Sequence, residues 1–141
     1  MPMIEIKIPL KAMGAVRMTQ RGKWASKTAM RYLDYKEMIK MYAKQQYRGP
    51  ILTGPLHISC DFYFKAPKSY SKKKMVLVRA NKLHYVKRPD VDNLFKGITD
   101  SLNKIIYTDD SYIVSAFMTK QYADEDYVDI CIKEIKDENS L

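Results

Sequence analysis

The sequence predicts an α+β fold: one domain, a mixed sheet of about four strands with helices on one face, and a homodimer. Three observations predict it. Apolar and polar residues alternate in four short runs, as in strands with one buried face. Between these runs, two longer stretches repeat their apolar residues at helical spacing. The chain has 141 residues and 46% hydrophobic content, which suits one domain with a real core, so residues 1–141 are read as a single domain.

Ile4, Ile6 and Ile8 alternate with Glu5 and Lys7, and Pro9 ends this first strand. Residues 11–26 contain Gly14 and Gly22 and read as a loop. Ser26 or Thr28 is placed to cap a helix running to about Gln46. Tyr32, Tyr35, Met38, Ile39 and Tyr42 form its apolar arc, with Ala43 at the margin. A turn with Gly49 and Pro50 leads to the clearest strand. There Leu56, Ile58, Cys60, Phe62 and Phe64 alternate with His57, Ser59, Asp61, Tyr63 and Lys65. Pro67 stops it, and residues 71–80 suit a short helix. Leu83 to Val86 form an extended piece that feeds Asp90.

Two further strands follow the second long helix. Ile113, Ser115, Phe117 and Thr119 alternate with Val114, Ala116 and Met118. Apolar residues in both sets put this strand at the centre of the sheet or at a subunit interface. After an acidic turn at Ala123 to Asp126, Val128, Ile130 and Ile132 form the last strand of a hairpin. Four strands leave a sheet edge or face that dimerisation would cover.

The chemistry concentrates in residues 87–110, which read KRPDVDNLFKGITDSLNKIIYTDD. At helical spacing Leu94, Phe95, Ile98, Leu102 and Ile105 fall on one side. Asp92, Lys96, Thr99, Asp100 and Asn103 fall on the other, free to face a cleft. Asp92 sits where an N-cap belongs, and Lys96 stands one turn along the same face. Pro89 biases Arg88 toward extended geometry, in which residues two apart point the same way. Asp90 and Asp92 would then face one point, and two such carboxylates repel unless they share a cation. Hard oxygen donors suit Mg²⁺, with Mn²⁺ as the alternative, and Asp110 arrives from the next loop as a third ligand. Such a metal activates water for phosphodiester hydrolysis, with Lys96 as a point charge beside the phosphate. The plainer readings are an N-cap, an ordinary acidic turn and an Asp92–Lys96 surface ion pair. Against them, Asp90, Asp92, Asp100, Asp109 and Asp110 are five of only 16 acids, and they follow a purely basic stretch.

The net charge of +9 favours a polyanionic partner, and its distribution says more. Residues 7–33 hold seven basic groups and no acid; residues 65–89 hold nine and no acid. The first stretch carries Arg17, Arg21, Lys23 and Trp24, a mixture suited to phosphate contact and base stacking. The second carries Lys72, Lys73 and Lys74, then Lys87 and Arg88, as further phosphate contacts.

Cys60 and Cys131 lie in alternating apolar runs and read as buried, reduced thiols. The two histidines, His57 and His84, lack ligand spacing to either cysteine, which argues against zinc. The sequence contains no apolar run of membrane-spanning length and its N-terminus lacks a signal-peptide core, so a cytoplasmic protein is expected, associated with the nucleoid when bound to DNA.

One joined motif goes further. Arg88-Pro89-Asp90-x-Asp92-Asn93-Leu94-x-Lys96, then Asp100-x-Leu102-Asn103, then Tyr107-x-Asp109-Asp110, resembles the RusA family of Holliday junction resolvases. The resemblance implies a Mg²⁺-dependent homodimeric endonuclease, common in prophages, acting on four-way DNA junctions. It makes Asp90, Asp92 and Asp110 the metal ligands and Lys96 the essential lysine. Asp100 and Asp109 match acids to which it assigns no role. Lys104 departs from the family pattern, where glycine often follows the asparagine, and Tyr112 stands where a glutamine is frequent. Two other functions stay open on the residues alone. One is a small-molecule phosphohydrolase using Asp-x-Asp, which usually wants the motif at the end of an apolar strand. The other is a non-catalytic nucleic-acid-binding protein.

Overall fold

The computed structural model describes residues 3–17 and 27–137 of the chain. Their elements run β1 (Met3–Ile8), α1 (Lys27–Gln46), β2 (Leu56–Lys65), α2 (Lys72–Arg79), α3 (Val91–Leu102), β3 (Ile113–Ala123) and β4 (Tyr127–Glu134). A single 3-10 turn, Asp110–Tyr112, precedes β3. The sheet order is β1-β4-β2-β3. β2 and β3 run parallel, while β4 is antiparallel to both β1 and β2. This is the expected single α+β domain with a mixed four-strand sheet.

Alternation decides which face is covered. Leu56, Ile58, Cys60, Phe62 and Phe64 are buried along β2, as are Ile4, Ile6 and Ile8 on β1 and Val128, Ile130 and Ile132 on β4. Tyr32, Tyr35, Ile39 and Ala43 of α1 and Leu94, Ile98 and Leu102 of α3 close over them in one core. Full burial of one such aliphatic side chain contributes about 1.5–3 kcal/mol. The opposite sheet face, with His57, Ser59, Asp61 and Tyr63, stays half-buried.

The parallel pairing of β2 with β3 requires a crossover, and α2 and α3 lie in it. This connection brings residues 80–90 and α3 back to the covered face.

Four expectations are corrected. The last two strands are not a hairpin, because β2 lies between β3 and β4. The 124–126 turn crosses the end of β2, where Asp126 accepts from the Lys65 amide at 2.8 Å. Nor is β3 central: it is an edge strand, with Val114 64% and Phe117 61% exposed. In α1, Met38 is exposed, whereas Ala43 is fully buried in line with Tyr32, Tyr35 and Ile39. Cys60 is buried, but Cys131 is only half-buried because it faces the open side of the sheet; both are free thiols.

α3 also ends earlier than its apolar spacing suggested. Asn103 turns extended after Leu102, and Lys104 takes a left-handed φ of 66°. Ile105 therefore lies in the following turn. Thr99, expected on the open side, is buried beneath Tyr107, whose hydroxyl donates to the Thr99 carbonyl at 2.9 Å.

Candidate active site

Asp90 occupies the N-cap position of α3, with φ −64° and ψ 149°, yet its side chain makes no capping bond. Its carbonyl accepts the first bond of the helix, from Leu94 N–H at 3.1 Å. The exposed carboxylate borders a cleft with Arg88, Pro89 and Asn93.

The N-terminal loop closes against this cleft. Ala15 N–H donates to the Asn93 carbonyl at 3.2 Å. A Cβ on Gly14 would lie 2.5 Å from Asn93 Nδ2 and 3.0 Å from Pro89 Cβ. Glycine permits that approach. The loop continues to Arg17, which is exposed. Arg21, Lys23, Trp24 and Ser26 lie outside the described residues.

Asp92 is exposed in the first turn of α3. At about 100° per residue, Lys96 and Thr99 fall within roughly 40° of it, on one side of the helix. Asp110 comes to that side. Together with Phe95, Thr99 and residues 113–116 it lines a second cleft.

Tyr107 is the joint between the helix and the acidic turn. It is fully buried and bonded to Thr99, and burial drives its phenol pKa far up, with the charge of Asp110 adding to that shift. Leu52 fastens the same turn: its N–H donates to the Ile106 carbonyl and its carbonyl accepts from Thr108 N–H.

The two acids of the turn differ. Asp109 caps the 3-10 turn, accepting from Ser111 N–H at 3.0 Å. The Ser111 hydroxyl, and then that amide, hold its pKa below the ordinary value of 3.8. Asp110 has no such capping duty and borders the cleft.

Lys96 pairs with Asp100, Nζ to Oδ2 3.3 Å, rather than with Asp92. With its side chain 65% exposed, that ion pair contributes at most about 1 kcal/mol. Asp92 and Asp110 thus share one side of α3, while Asp90 opens on the cleft at its N-terminus. Among the described residues, no three Asp, Glu, His or Cys side chains stand close enough together to hold a metal ion. Carboxylate oxygens as a class suit a hard divalent cation, but Asp90 and Asp110 border separate clefts along α3.

The family model for endodeoxyribonuclease RusA matches residues 9–133 of this sequence. The chain belongs to the RusA family. The match takes in the loop before α1, the whole of α3 and the Asp109–Asp110 turn. It makes this chain one of a family of DNA endonucleases. The uncharacterized protein YqaN of Bacillus subtilis (strain 168) is similar, 37% identical over 103 residues that cover 72% of each chain.

In this RusA-family chain the basic residues sit on the surface. Lys72, Lys73 and Lys74 are exposed in the first turn of α2, which Ser71 caps by accepting from Lys74 N–H at 3.2 Å. Three cations at a helix N-terminus oppose its dipole, an arrangement that phosphates would relieve. Lys74 also lies 4.3 Å over the Tyr70 ring, and Tyr70 hydrogen-bonds Tyr122 of β3 at 2.9 Å. Lys87 and Arg88 are exposed directly before Asp90. No helix among the described residues is long and apolar enough to cross a membrane.

Sequence reasoning gave no role to Gly14 or Lys120, and quoted Tyr107 in the motif without its packing role. Lys120 had a visible signal: it continues the set Val114, Ala116 and Met118, where an apolar residue was due. Gly14 and Tyr107 act through packing between distant segments, which spacing does not reveal.

Proposed function

We propose that this protein is a Mg²⁺-dependent, structure-selective DNA endonuclease that resolves four-way (Holliday) junctions by paired phosphodiester hydrolysis. The observation that carries the reading is that Asp110 shares a cleft with Thr99, which falls on the same side of α3 as Asp92 by helical spacing, while the Asp90 carboxylate at the helix start makes no capping bond. Asp90, Asp92 and Asp110 would hold the ion, with Mn²⁺ as a substitute. Once bound, a divalent ion supplies an acidified water and charge stabilisation for the phosphoryl oxygens.

The chain's own groups do the rest. Lys96, oriented by Asp100, presents a cation toward the scissile phosphate. Arg88 at the Asp90 cleft and Arg17 of the N-terminal loop grip flanking phosphates, and Lys72, Lys73, Lys74 and Lys87 extend the basic surface. Arg21, Lys23 and Trp24 continue the Arg17 loop as DNA contacts. Binding should therefore weaken steeply with salt.

A homodimer suits the substrate, because a two-fold axis places two sites on opposed strands. The exposed edge of β3, with Val114 and Phe117, supports a second subunit as its cover. The phosphohydrolase reading lacks its usual strand, since residues 83–87 pair with no strand. A cytoplasmic site of action, at the nucleoid, follows from the DNA substrate.

The test is incubation of wild type and Asp92→Asn with a labelled four-way junction, a linear duplex and a phosphomonoester, with and without Mg²⁺. Paired, metal-dependent nicking of the junction alone, lost in the variant while binding persists, is expected. Turnover of the monoester instead, or unaltered cutting by the variant, would overturn the proposal.

A further inference from the structure

Lys120 sits on β3 opposite Phe62 in register, on the sheet face that the helices cover. Phe62 is fully buried, and the next β3 residue on the same side, Tyr122, packs edge-on against Tyr85 at 5.1 Å. A flexible cation on such a face costs desolvation and side-chain entropy unless it gains partners. Its partners are two backbone carbonyls of one turn. Lys120 Nζ donates to the Lys87 carbonyl at 2.8 Å and to the Pro89 carbonyl at 3.1 Å. Among the described residues it forms no ion pair with a carboxylate.

Those two carbonyls bracket Arg88, and the second belongs to the peptide unit that carries the Asp90 N–H. Asp90 itself offers no capping bond to fix the start of α3. Upstream, the same segment is pinned by Tyr85, which stacks on Phe64 at 4.2 Å and lies 5.6 Å below the Lys120 ammonium. The turn is thus held from the sheet by one side chain at the point where the backbone delivers Asp90.

We propose that Lys120 is a positioning residue for the nuclease site: its ammonium ties residues 87–89 to β3 and so aims the Asp90 carboxylate and the Arg88 guanidinium. This rests on the reading that Asp90 serves phosphodiester cleavage. Lys120 touches neither the ion nor the scissile phosphate. It acts through the backbone, as outer groups orient the ligands of a metal.

The experiment compares Lys120→Met, which removes the donors, with Lys120→Arg, which keeps them. Single-turnover junction cleavage, junction affinity and amide hydrogen exchange are measured on each full-length protein. For Lys120→Met, cleavage should fall about 10- to 100-fold, the range seen when a ligand-orienting group is lost. Affinity should fall far less than the rate, since Arg88 is one of several phosphate contacts; exchange should quicken in residues 85–91 and not in α1 or β2, and Lys120→Arg should restore both rate and protection. Wild-type cleavage by Lys120→Met would overturn the proposal. So would exchange that quickens evenly through α1 and β2, because Lys120 would then serve the whole fold. Should Lys120→Met not fold, Lys120→Gln, one atom short of the carbonyls, must show the same local exchange change; unchanged exchange there overturns the proposal. Hydrogen exchange needs no cleavage, so a wild type that cuts no junction would sink the nuclease reading alone.

Discussion

Asp90 and Asp109 hold equivalent backbone positions, each extended and each immediately before a helical turn. Their side chains do opposite things. Asp109 caps its own turn through Ser111, whereas the carboxylate of Asp90 makes no cap and opens on a cleft. An aspartate at an N-cap normally accepts an amide of the first turn, which is worth about 1 kcal/mol. Where that bond is unmade, other contacts must fix the helix start. Here they are Ala15 to Asn93 and Lys120 to residues 87 and 89. The contrast sets an acid spent on a cap apart from one that opens on a cleft, and Asp110, which borders the other cleft, differs from its neighbour Asp109 in the same way.

The largest effect should appear in cleavage. Asp110→Asn is expected to lower the Mg²⁺-dependent nicking rate by about 10³-fold, the several kcal/mol that a metal's charge stabilisation represents. Asp109→Asn keeps an oxygen that can accept the Ser111 amide, so it should cost less than about tenfold. Equal losses in a junction-nicking assay would break the distinction between the two acids.

Next comes the packing that substitutes for the missing cap. Gly14→Ala puts a methyl group 2.5 Å from Asn93 Nδ2 and 3.0 Å from the Pro89 ring. A destabilisation of about 1–3 kcal/mol is expected from such overpacking, read by urea unfolding, together with slower cleavage. An unchanged midpoint would mean that the N-terminal loop does not hold the Asp90 end.

The other end of α3 sharpens the picture in the opposite direction. Lys104 carries a left-handed φ of 66°, a conformation that costs a side-chain-bearing residue about 1–2 kcal/mol. Lys104→Gly should therefore raise stability by about 1 kcal/mol, less the entropy of the freer unfolded chain. A fall in the thermal midpoint would show that the lysine side chain has its own role there.

The smallest effect is a pH dependence. Hydrogen bonds from Ser111 lower the Asp109 pKa in the folded state below its ordinary 3.8. Its contribution is therefore complete above that value and lost as pH falls through the folded one. The thermal-midpoint gap between wild type and Asp109→Ala, which removes the accepting oxygens, should be steady at neutral pH and shrink below about pH 4. A gap that persists at low pH would remove the capping bond as its cause.

The strand and helix content was legible because β1, β2 and α1 each bury one face. Period-2 and period-3.6 patterns report such burial directly. The strand order was not. Only the parallel pairing of β2 with β3 and the crossing turn at Asp126 decide it, and neither leaves a local pattern. The family motif named the acids proposed for the site, and Lys104, where the chain departs from that motif, is the left-handed residue after α3. The motif singled out Asp110 but gave no physical reason for the choice, because the capping of Asp109 depends on Ser111 and the place of the turn on Tyr107 packing against α3. Thr99 lines the cleft that its helical spacing suggested, yet is nearly buried there.

The central claim is that Asp90, Asp92 and Asp110 hold one divalent ion while Asp109 does not. Mn²⁺ titration followed by electron paramagnetic resonance tests it on the uncut protein, without DNA or turnover. The expected result is one class of bound Mn²⁺ in wild type and Asp109→Asn, and loss of that binding in Asp90→Asn, Asp92→Asn and Asp110→Asn. Binding abolished by Asp109→Asn and untouched by Asp110→Asn would contradict it.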